Sequence, residues 1–201
     1  RAGGGSVASS ASPVEPGLLA QLSRPELSAR VGHLDYAGAI LVLGTDPLHE
    51  MPILDLRIRK AMRRGHAQLA VATERPTTLD GGAAATARYA PGDAASFLSA
   101  LAGALGADGY SSDGPFAEAA REIGALLDSV PDPVIVWGER LWRQPGAVEA
   151  LRALAHALEM HKRIGPGLLE VPEESNGRGL REVGCIPGAG PGFAAAQSGR
   201  D

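Results

Sequence analysis

Apolar runs and helical patterns alternate along the chain, and this alternation predicts an α/β fold. Short continuous apolar runs are typical of buried parallel strands, and they occur at 39–44, 67–73, 134–138 and 168–171. Between them, apolar residues recur at helical spacing within 52–64, 93–105, 115–127 and 145–158. Because strands that alternate with helices favour a parallel sheet covered on both faces, we predict a three-layer α/β/α domain with a mostly parallel, Rossmann-like sheet.

Residues typical of helix starts and ends indicate the boundaries of two predicted helices. Pro52 stands in the first turn of the helix at 52–64, and Gly65 follows its end, which is the usual asymmetry of helix termini. Asp93 is a candidate N-cap for the next helix, and Gly106 stops it.

The two ends of the chain lack such periodicity. Residues 1–16 are rich in glycine, serine, alanine and proline. Residues 193–201 likewise show little helical or strand periodicity. We therefore predict a flexible lead-in at 1–16, one α/β domain at 17–192 and a flexible tail at 193–201. The chain starts at Arg1 rather than Met, which indicates a fragment or a processed product.

Composition is in keeping with one compact domain, or two small lobes on one sheet. The chain has 201 residues, of which 44% are hydrophobic, so it is long enough to bury a core. Aromatic residues make up only 4%, whereas there are 27 glycines and 15 prolines. This balance favours many short elements packed with small residues over a coiled coil or a β-sandwich.

Charge and cysteine content exclude several functions. The formal net charge is −4, which gives no general electrostatic basis for nucleic-acid binding. Cys185 is the single cysteine, so the chain alone cannot build an internal disulfide, a thiolate-only zinc site or an iron–sulfur cluster. No apolar run is long enough for a transmembrane helix. We expect a soluble protein of a reducing compartment, or a peripheral part of a membrane complex.

Common nucleotide and catalytic motifs are incomplete. The loop 44–47 has one glycine where a dinucleotide fingerprint needs three, and the Walker-like spacing of 179–184 is followed by Cys185-Ile186 instead of Lys-Ser/Thr. His156 and His161 are not spaced four apart, as two metal ligands on one helix face would be. We interpret these histidines as surface or partly buried helical residues.

Two other clusters have plain structural interpretations. Five basic residues lie within 57–64, with Asp55 and Glu50 nearby, which indicates a solvated helix face or a partner contact rather than a nucleic-acid patch. Trp137 and Trp142 flank the end of a predicted strand, and packing under a loop is the simpler interpretation of this pair.

Four stretches together resemble the molybdopterin oxidoreductase family. They are GTDPLHEMPILDLRIRKAMRRG at 44–65, the strand, loop and Pro-Gly-Asp helix start at 71–101, VIVWGERL at 134–141 and the Asn- and Gly-rich segment at 173–192. Their order and spacing are most similar to the molybdopterin-like C-terminal region of the large iron–sulfur subunits of bacterial NADH-quinone oxidoreductases (complex I). The resemblance covers roughly residues 38–192.

The resemblance implies a cofactor site at the strand ends. In the molybdenum enzymes of this family, such loops hold a pterin guanine dinucleotide, with backbone N–H groups on its phosphates and polar side chains on its ribose and guanine. Carried over to this sequence, the cofactor-binding positions are Gly44, Thr45, Asp46, Pro47, Thr73, Glu74, Arg75, Gly138, Glu139, Ser175, Asn176, Gly177, Arg178 and Gly179.

Departures from the family pattern change this expectation. Thr73-Glu74 replaces the usual Asp of the second loop, and no cysteine precedes Gly44, where the family places its metal-ligand region. The resemblance therefore implies a vestigial molybdopterin guanine dinucleotide site with no catalytic residue, no metal and no cofactor retained. Iron–sulfur clusters are expected in an N-terminal, cysteine-rich part.

The same resemblance implies a structural role in electron transfer from NADH to quinone. The expected partners are other subunits of the peripheral arm of complex I, with no nucleic acid and no direct membrane insertion. The expected location is cytoplasmic, at the inner face of the plasma membrane. Two alternatives stay open: an active molybdopterin module with a polar cleft lined by Asp46, Arg75 and Asn176, or a stand-alone nucleotide-binding domain.

Overall fold

A five-stranded, all-parallel sheet forms the centre of the fold and confirms the predicted class. The computed structural model describes residues 16–173, 175–185 and 190–194. The strands follow the order β3-β2-β1-β4-β5 across the sheet. Their bounds are β1 Ala39–Leu43, β2 Gln68–Thr73, β3 Ala85–Arg88, β4 Pro133–Gly138 and β5 Gly167–Val171.

Helices connect and cover the strands. The α-helices are α1 Pro16–Leu22, α2 Pro47–Glu50, α3 Pro52–Lys60, α4 Ala94–Ala104, α5 Ala117–Asp128, α6 Ala147–Ala157 and α7 Gly177–Glu182. Short 3-10 turns occupy Val31–Asp35, Asp80–Gly82, Glu139–Arg143, Met160–Lys162 and Pro191–Phe193, and a π-helical turn occupies Ala61–Gly65.

Two hydrophobic cores lie on opposite faces of the sheet. Because successive strand side chains point to opposite faces, Leu41 and Leu43 pack with α4, α5 and α6, whereas Ile40 and Val42 pack with α3. All five residues of β1 are buried, which explains why its sequence is a continuous apolar run rather than an alternating one. The three layers follow directly from this arrangement.

The strand order places a crevice at the carboxyl end of the sheet. β2 and β3 follow each other on one side of β1, whereas β4 and β5 lie on the other side. In open parallel sheets, ligands bind where the strand order reverses in this way. The loops after β1, β2 and β4 therefore converge at one edge, and the cofactor-binding positions inferred from the resemblance follow these strands or lie near them.

Helix α3 ends differently from the prediction. The helix was expected to run to Arg64 with Gly65 beyond it, but α3 ends at Lys60 and continues as the π-helical turn. The left-handed conformation that usually favours glycine falls on His66, with φ of 58°. The sequence indicated the end of the helix within one residue but not the residue that adopts the strained conformation.

Asp93 is the N-cap residue of α4, as predicted, but its side chain makes no capping hydrogen bond. Instead, the N–H of Ala94 donates to Oε1 of Gln144 at 3.1 Å. This cap comes from a residue 50 positions away, so local sequence rules could not have indicated it.

Four elements, α1, α2, β3 and α7, lie where no strand or helix was predicted. β3 is a four-residue edge strand in which only Ala85 and Ala87 are buried, so its apolar signal is weak. Helix α7 occupies part of the segment expected to be a Gly-rich loop.

The chain ends are partly outside the described residues. Residues 1–15 of the predicted lead-in and 195–201 of the predicted tail lie there, whereas residue 16 begins α1. Among the described residues, no helix has the length and hydrophobicity needed to cross a membrane.

Candidate functional site

A cleft of about 370 Å³ opens at the carboxyl ends of β1 and β2, next to the loop that follows β4. We call it the strand-end cleft. Its lining residues are Gly44, Thr45, Asp46, His49, Glu50, Thr73, Glu74, Arg75, Pro76, Thr77, Tyr89, Arg140, Leu141 and Gln144. Six of the fourteen cofactor-binding positions inferred from the resemblance are in this set: Gly44, Thr45, Asp46, Thr73, Glu74 and Arg75.

Gly44 turns the chain out of β1 at the base of the cleft. Its φ is +61°, and a Cβ at this position would lie 3.0 Å from Cδ2 of Leu141. Its N–H still donates to the carbonyl oxygen of Ala72 at 2.9 Å. The backbone thus needs glycine here for both its conformation and its close packing, and this turn places Thr45 and Asp46 at the cleft.

Glu50 binds three donors at the cleft. Its Oε2 accepts a hydrogen bond from the Thr45 hydroxyl at 2.9 Å, and its Oε1 accepts one from the Asp46 N–H at 3.1 Å. Nη2 of Arg140 also donates to Oε1, at 2.8 Å. We call Thr45, Asp46 and Arg140 around this carboxylate the Glu50 cage.

Of the two acidic residues near the basic run of α3, Asp55 pairs with it, through Arg59, whereas Glu50 binds Arg140. Arg57 and Lys60 of the run both pair with Asp35. The sequence does contain a signal for the role of Glu50, because a carboxylate that accepts from the N-cap N–H is half of a capping box. Here it comes one residue later than in the usual spacing.

Asp46 is the N-cap of α2. Its Oδ1 accepts from the Leu48 N–H at 3.2 Å, and its Oδ2 lies 2.8 Å from Nδ1 of His49. Pro47, another predicted site residue, is buried as the first residue of α2 and does not line the cleft. Asp46 therefore uses its carboxylate to start the helix, as its type and position favour.

The loop after β2 supplies the opposite wall of the cleft. The Thr73 hydroxyl donates to the carbonyl oxygen of Arg75 at 2.8 Å, which fixes the turn. Nε2 of Gln144 lies 3.5 Å from Oε1 of Glu74, and the Arg75 side chain is exposed at the rim. This wall therefore carries one carboxylate and one guanidinium.

Tyr89 closes the floor of the cleft. Its hydroxyl donates to the carbonyl oxygen of Ala72 at 3.2 Å. Burial, which is the largest cause, raises the pKa of Tyr89 well above its ordinary value. The phenol therefore stays a neutral donor, so it holds β2 and does not act as a base.

Glu139 belongs to a second, buried group of charges rather than to the cleft. Its Oε1 accepts from Nη1 of Arg181, and Nη2 of Arg181 donates to Oε1 of Glu170. Nε1 of Trp142 also donates to Glu170, at 3.3 Å, and the Glu173 N–H donates to Oε2 of Glu139 at 2.7 Å. We call Glu139, Glu170 and Arg181 the Arg181 cluster.

Burial has a direct electrostatic effect in the Arg181 cluster. Arg181 is only 3% exposed. Burial, the largest cause, raises the pKa of Glu170, while the attraction of Arg181 opposes that shift. The cluster is located where α7 covers the carboxyl ends of β4 and β5, so its charges serve to attach the helix to the sheet.

Gly138 lies between the strand-end cleft and the Arg181 cluster, and it does not line the cleft. A Cβ built on it would lie 2.4 Å from the carbonyl oxygen of Gly44, a distance that no real side chain tolerates. Glycine therefore allows the ends of β1 and β4 to approach each other. This is a packing role, and no cofactor is needed to explain it.

The predicted Ser175–Gly179 positions lie at the start of α7. Ser175 and Asn176 are exposed, and Gly177 is buried, with a Cβ position only 3.2 Å from Oε2 of Glu139. Arg178 pairs with Glu182 at 2.7 Å, and a Cβ on Gly179 would meet Asn176. Gly177 therefore approaches the Arg181 cluster, and none of these five positions lines the strand-end cleft.

The cleft meets the alternative expectation of an active module only in part. Asp46 and Arg75 line it, whereas Asn176 does not. Several other lining residues, notably Tyr89 and Gln144, were not predicted, because they come from segments that are distant along the chain. Within residues 16–173, 175–185 and 190–194, no three histidine, cysteine, aspartate or glutamate side chains are grouped to hold a metal ion.

The tryptophan pair packs as predicted. The ring centroids of Trp137 and Trp142 are 5.5 Å apart in an edge-to-face arrangement. Trp137 is buried in the core, and Trp142 connects that core to Glu170.

Sequence comparisons with known proteins place the chain in a family. The sequence model of molybdopterin oxidoreductases matches residues 9–186. An NADH-quinone oxidoreductase subunit of Streptomyces coelicolor is 32% identical over 160 residues, covering 79% of this chain and 17% of that protein.

Other relatives give a similar result. An NADH-quinone oxidoreductase subunit of Mycobacterium bovis is 31% identical over 178 residues, covering 87% of this chain and 19% of that protein. The NADPH-Fe(3+) oxidoreductase subunit alpha of Geobacter sulfurreducens is 26% identical over 196 residues, covering 82% of this chain and 23% of that protein. The chain therefore spans about a fifth of the length of these relatives.

Proposed function

The chain belongs to the molybdopterin oxidoreductase family, and from this premise we propose that it is a structural domain of the large iron–sulfur subunit of an NADH-quinone oxidoreductase. In this proposal the domain carries out no redox step. Electrons pass from NADH to quinone through iron–sulfur clusters held in other parts of the subunit. The similarity to the two NADH-quinone oxidoreductase subunits supports this assignment.

The observation that carries the proposal is the internal pairing of polar groups in the strand-end cleft. Thr45, the Asp46 N–H and Arg140 all donate to Glu50, and the Asp46 carboxylate is used at the start of α2. Satisfied polar groups stabilise the fold. These groups therefore have a structural use without a ligand.

The cleft also fits a pterin guanine dinucleotide poorly. That cofactor carries an anionic pyrophosphate, which needs N–H and cationic donors. The lining carries two guanidinium groups, from Arg75 and Arg140, but also three carboxylates, from Asp46, Glu50 and Glu74. Glu50 already takes the Arg140 guanidinium, the Thr45 hydroxyl and the Asp46 N–H. We therefore assign no reaction step to a molybdenum cofactor in this domain.

The surface of α3 supports a role in assembly. Ile53 is 54% exposed and Leu56 is 59% exposed, while Arg63 and Arg64 follow on the same segment. Exposed apolar residues next to charged ones are common at protein interfaces. We propose that this surface packs on neighbouring subunits of the peripheral arm of the complex, on the cytoplasmic side of the membrane.

Cofactor analysis of the complete, purified complex tests the structural role. We expect molybdenum, measured by mass spectrometry, and oxidised pterin, measured by fluorescence, to be far below one per complex. A molybdenum enzyme purified from the same molybdate-supplemented cells is the control that the cofactor was available. Stoichiometric pterin or molybdenum in the complex would overturn the proposal.

Assembly can be tested separately. Ile53→Asp with Leu56→Asp is expected to lower the yield of assembled complex, since two buried charges would be introduced at an apolar contact. Activity per assembled complex should stay the same. Glu118→Lys and Glu122→Lys on α5, also exposed, form the control pair. Unchanged assembly in the α3 variant would remove this surface from the proposal.

A further inference from the structure

We infer that Glu50 acts as an internal anion that excludes phosphate-bearing ligands from the strand-end cleft. This inference rests on the proposed function, because it explains how a cleft at the usual ligand-binding edge of the sheet does without its ligand. It makes Glu50 the residue that determines the specificity of the site.

The donors of the Glu50 cage are those that a phosphate oxygen would use. They comprise a backbone N–H, a hydroxyl and a guanidinium, from Asp46, Thr45 and Arg140. Charge-assisted hydrogen bonds from such groups are the strongest contacts that carboxylates and phosphates make, and guanidinium suits either anion. The carboxylate therefore occupies the position and satisfies the donors that an incoming anion would need.

Burial favours the internal anion over an external one. The Glu50 side chain is 19% exposed and that of Arg140 is 44% exposed, so the carboxylate lies beneath the guanidinium. Thr45 is only 3% exposed. A soluble phosphate would therefore have to displace a tethered carboxylate from partly buried donors, and it would also meet the charge of that carboxylate.

The other carboxylates of the cleft do not hold these donors. Asp46 directs its oxygens to Leu48 and His49, and Glu74 approaches only Gln144, at 3.5 Å. Arg75 lines the same cleft, and its side chain makes no hydrogen bond or ion pair with another described residue. Removal of Glu50 would thus leave two guanidinium groups, a hydroxyl and an N–H facing one cleft.

Calorimetric titration with inorganic pyrophosphate tests the inference on the full chain. We expect weak or no saturable binding by the wild type. Glu50→Ala should bind at least about tenfold more tightly, which corresponds to gaining one charge-assisted contact. Glu50→Gln keeps the size of the side chain and removes its charge, so it should show a smaller gain. It also keeps the test valid if the alanine variant unfolds.

Glu74→Gln is the matched control, because it removes the same charge from the same cleft but leaves the cage intact. We expect it to bind pyrophosphate no better than the wild type. Adding Arg140→Met to Glu50→Ala should abolish the gain. Circular dichroism and urea unfolding confirm that each variant is folded.

Three results would overturn the inference: wild-type binding as tight as that of Glu50→Ala, an equal gain in Glu74→Gln, or no gain in a folded Glu50 variant. The last result, found together with a cofactor-free complex, rejects the role of Glu50 and leaves the proposed function intact. Stoichiometric pterin in the wild-type complex rejects the proposed function itself.

Discussion

The strand-end cleft and the Arg181 cluster lie at the same edge of one sheet and use the same residue types, yet they differ in burial. In the cluster, Arg181 is 3% exposed and contacts Glu139 and Glu170. In the cleft, Arg140 contacts Glu50 but its side chain is 44% exposed. One arginine is therefore closed inside the protein, while the other still faces solvent.

Burial determines the role of each ion pair. A buried charge must keep its partners, because an unpaired charge in the interior is very costly. An exposed pair contributes little to stability since water already solvates both groups. The Arg181 cluster should therefore matter for folding, whereas the Glu50 cage should matter for which ions enter the cleft.

Exchanging the two arginines for methionine is the strongest test of the comparison. Arg181→Met leaves two glutamates, with side chains only 11% and 10% exposed, without their cation. We therefore expect a loss of about 3 kcal/mol in the free energy of unfolding. Arg140→Met should cost about 1 kcal/mol or less. Urea unfolding of both variants gives the values. Equal losses would mean that burial does not separate the two regions.

A second variant alters the contact between the two regions. In Gly138→Ala, the new Cβ would lie 2.4 Å from the Gly44 carbonyl oxygen, which forces the ends of β1 and β4 apart. We expect a loss of roughly 1–3 kcal/mol by urea unfolding. Gly81→Ala is the control, since nothing lies within 4 Å of its Cβ position. A neutral Gly138→Ala would show that the strand ends adjust freely.

The floor of the cleft provides a smaller test. Tyr89→Phe removes the hydrogen bond to the Ala72 carbonyl oxygen and keeps the aromatic packing on Phe97, with ring centroids 5.7 Å apart. We expect a loss of about 1 kcal/mol in thermal or urea unfolding. Tyr36→Phe, at an exposed residue, should change nothing. A loss as large as that of Arg181→Met would contradict the ranking.

The smallest expected effect is a dependence on pH in the Arg181 cluster. Burial raises the pKa of Glu170 above its ordinary value of 4.5, so just above pH 4.5 this carboxyl group is more protonated in the folded state than in the unfolded state. Stability then falls as the pH rises through the folded pKa. Relative to Glu170→Gln, the wild type should lose stability over this window in urea titrations. A relative gain with rising pH would show that the attraction of Arg181 outweighs burial.

Much of the fold was predictable from local patterns. Continuous apolar runs identified β1, β2, β4 and β5 because strands buried on both faces need apolar residues at successive positions. β3 was missed, since it is short and lies at the sheet edge with few buried residues. The cap of α4 by Gln144 was also missed, because only the folded chain brings these residues together.

The site was predictable only in part. Gly44, Thr45 and Asp46 were correctly placed at the edge of the sheet, since they directly follow a strand. Glu139 also follows a strand, but it turns toward Arg181. Its position along the chain gave no sign of this direction.

Local sequence patterns were enough to identify four of the five strands, their parallel class and the family of the chain. These features depend on short apolar runs and on the order of motifs. The charge pairs at the ends of the strands, and the depth at which they are buried, could be known only from the folded chain. Glu50 and Arg140 are 90 residues apart, and Glu139 and Arg181 are 42 apart. Such pairs form only after the strands align, because the field at each side chain depends on neighbours that are distant in sequence.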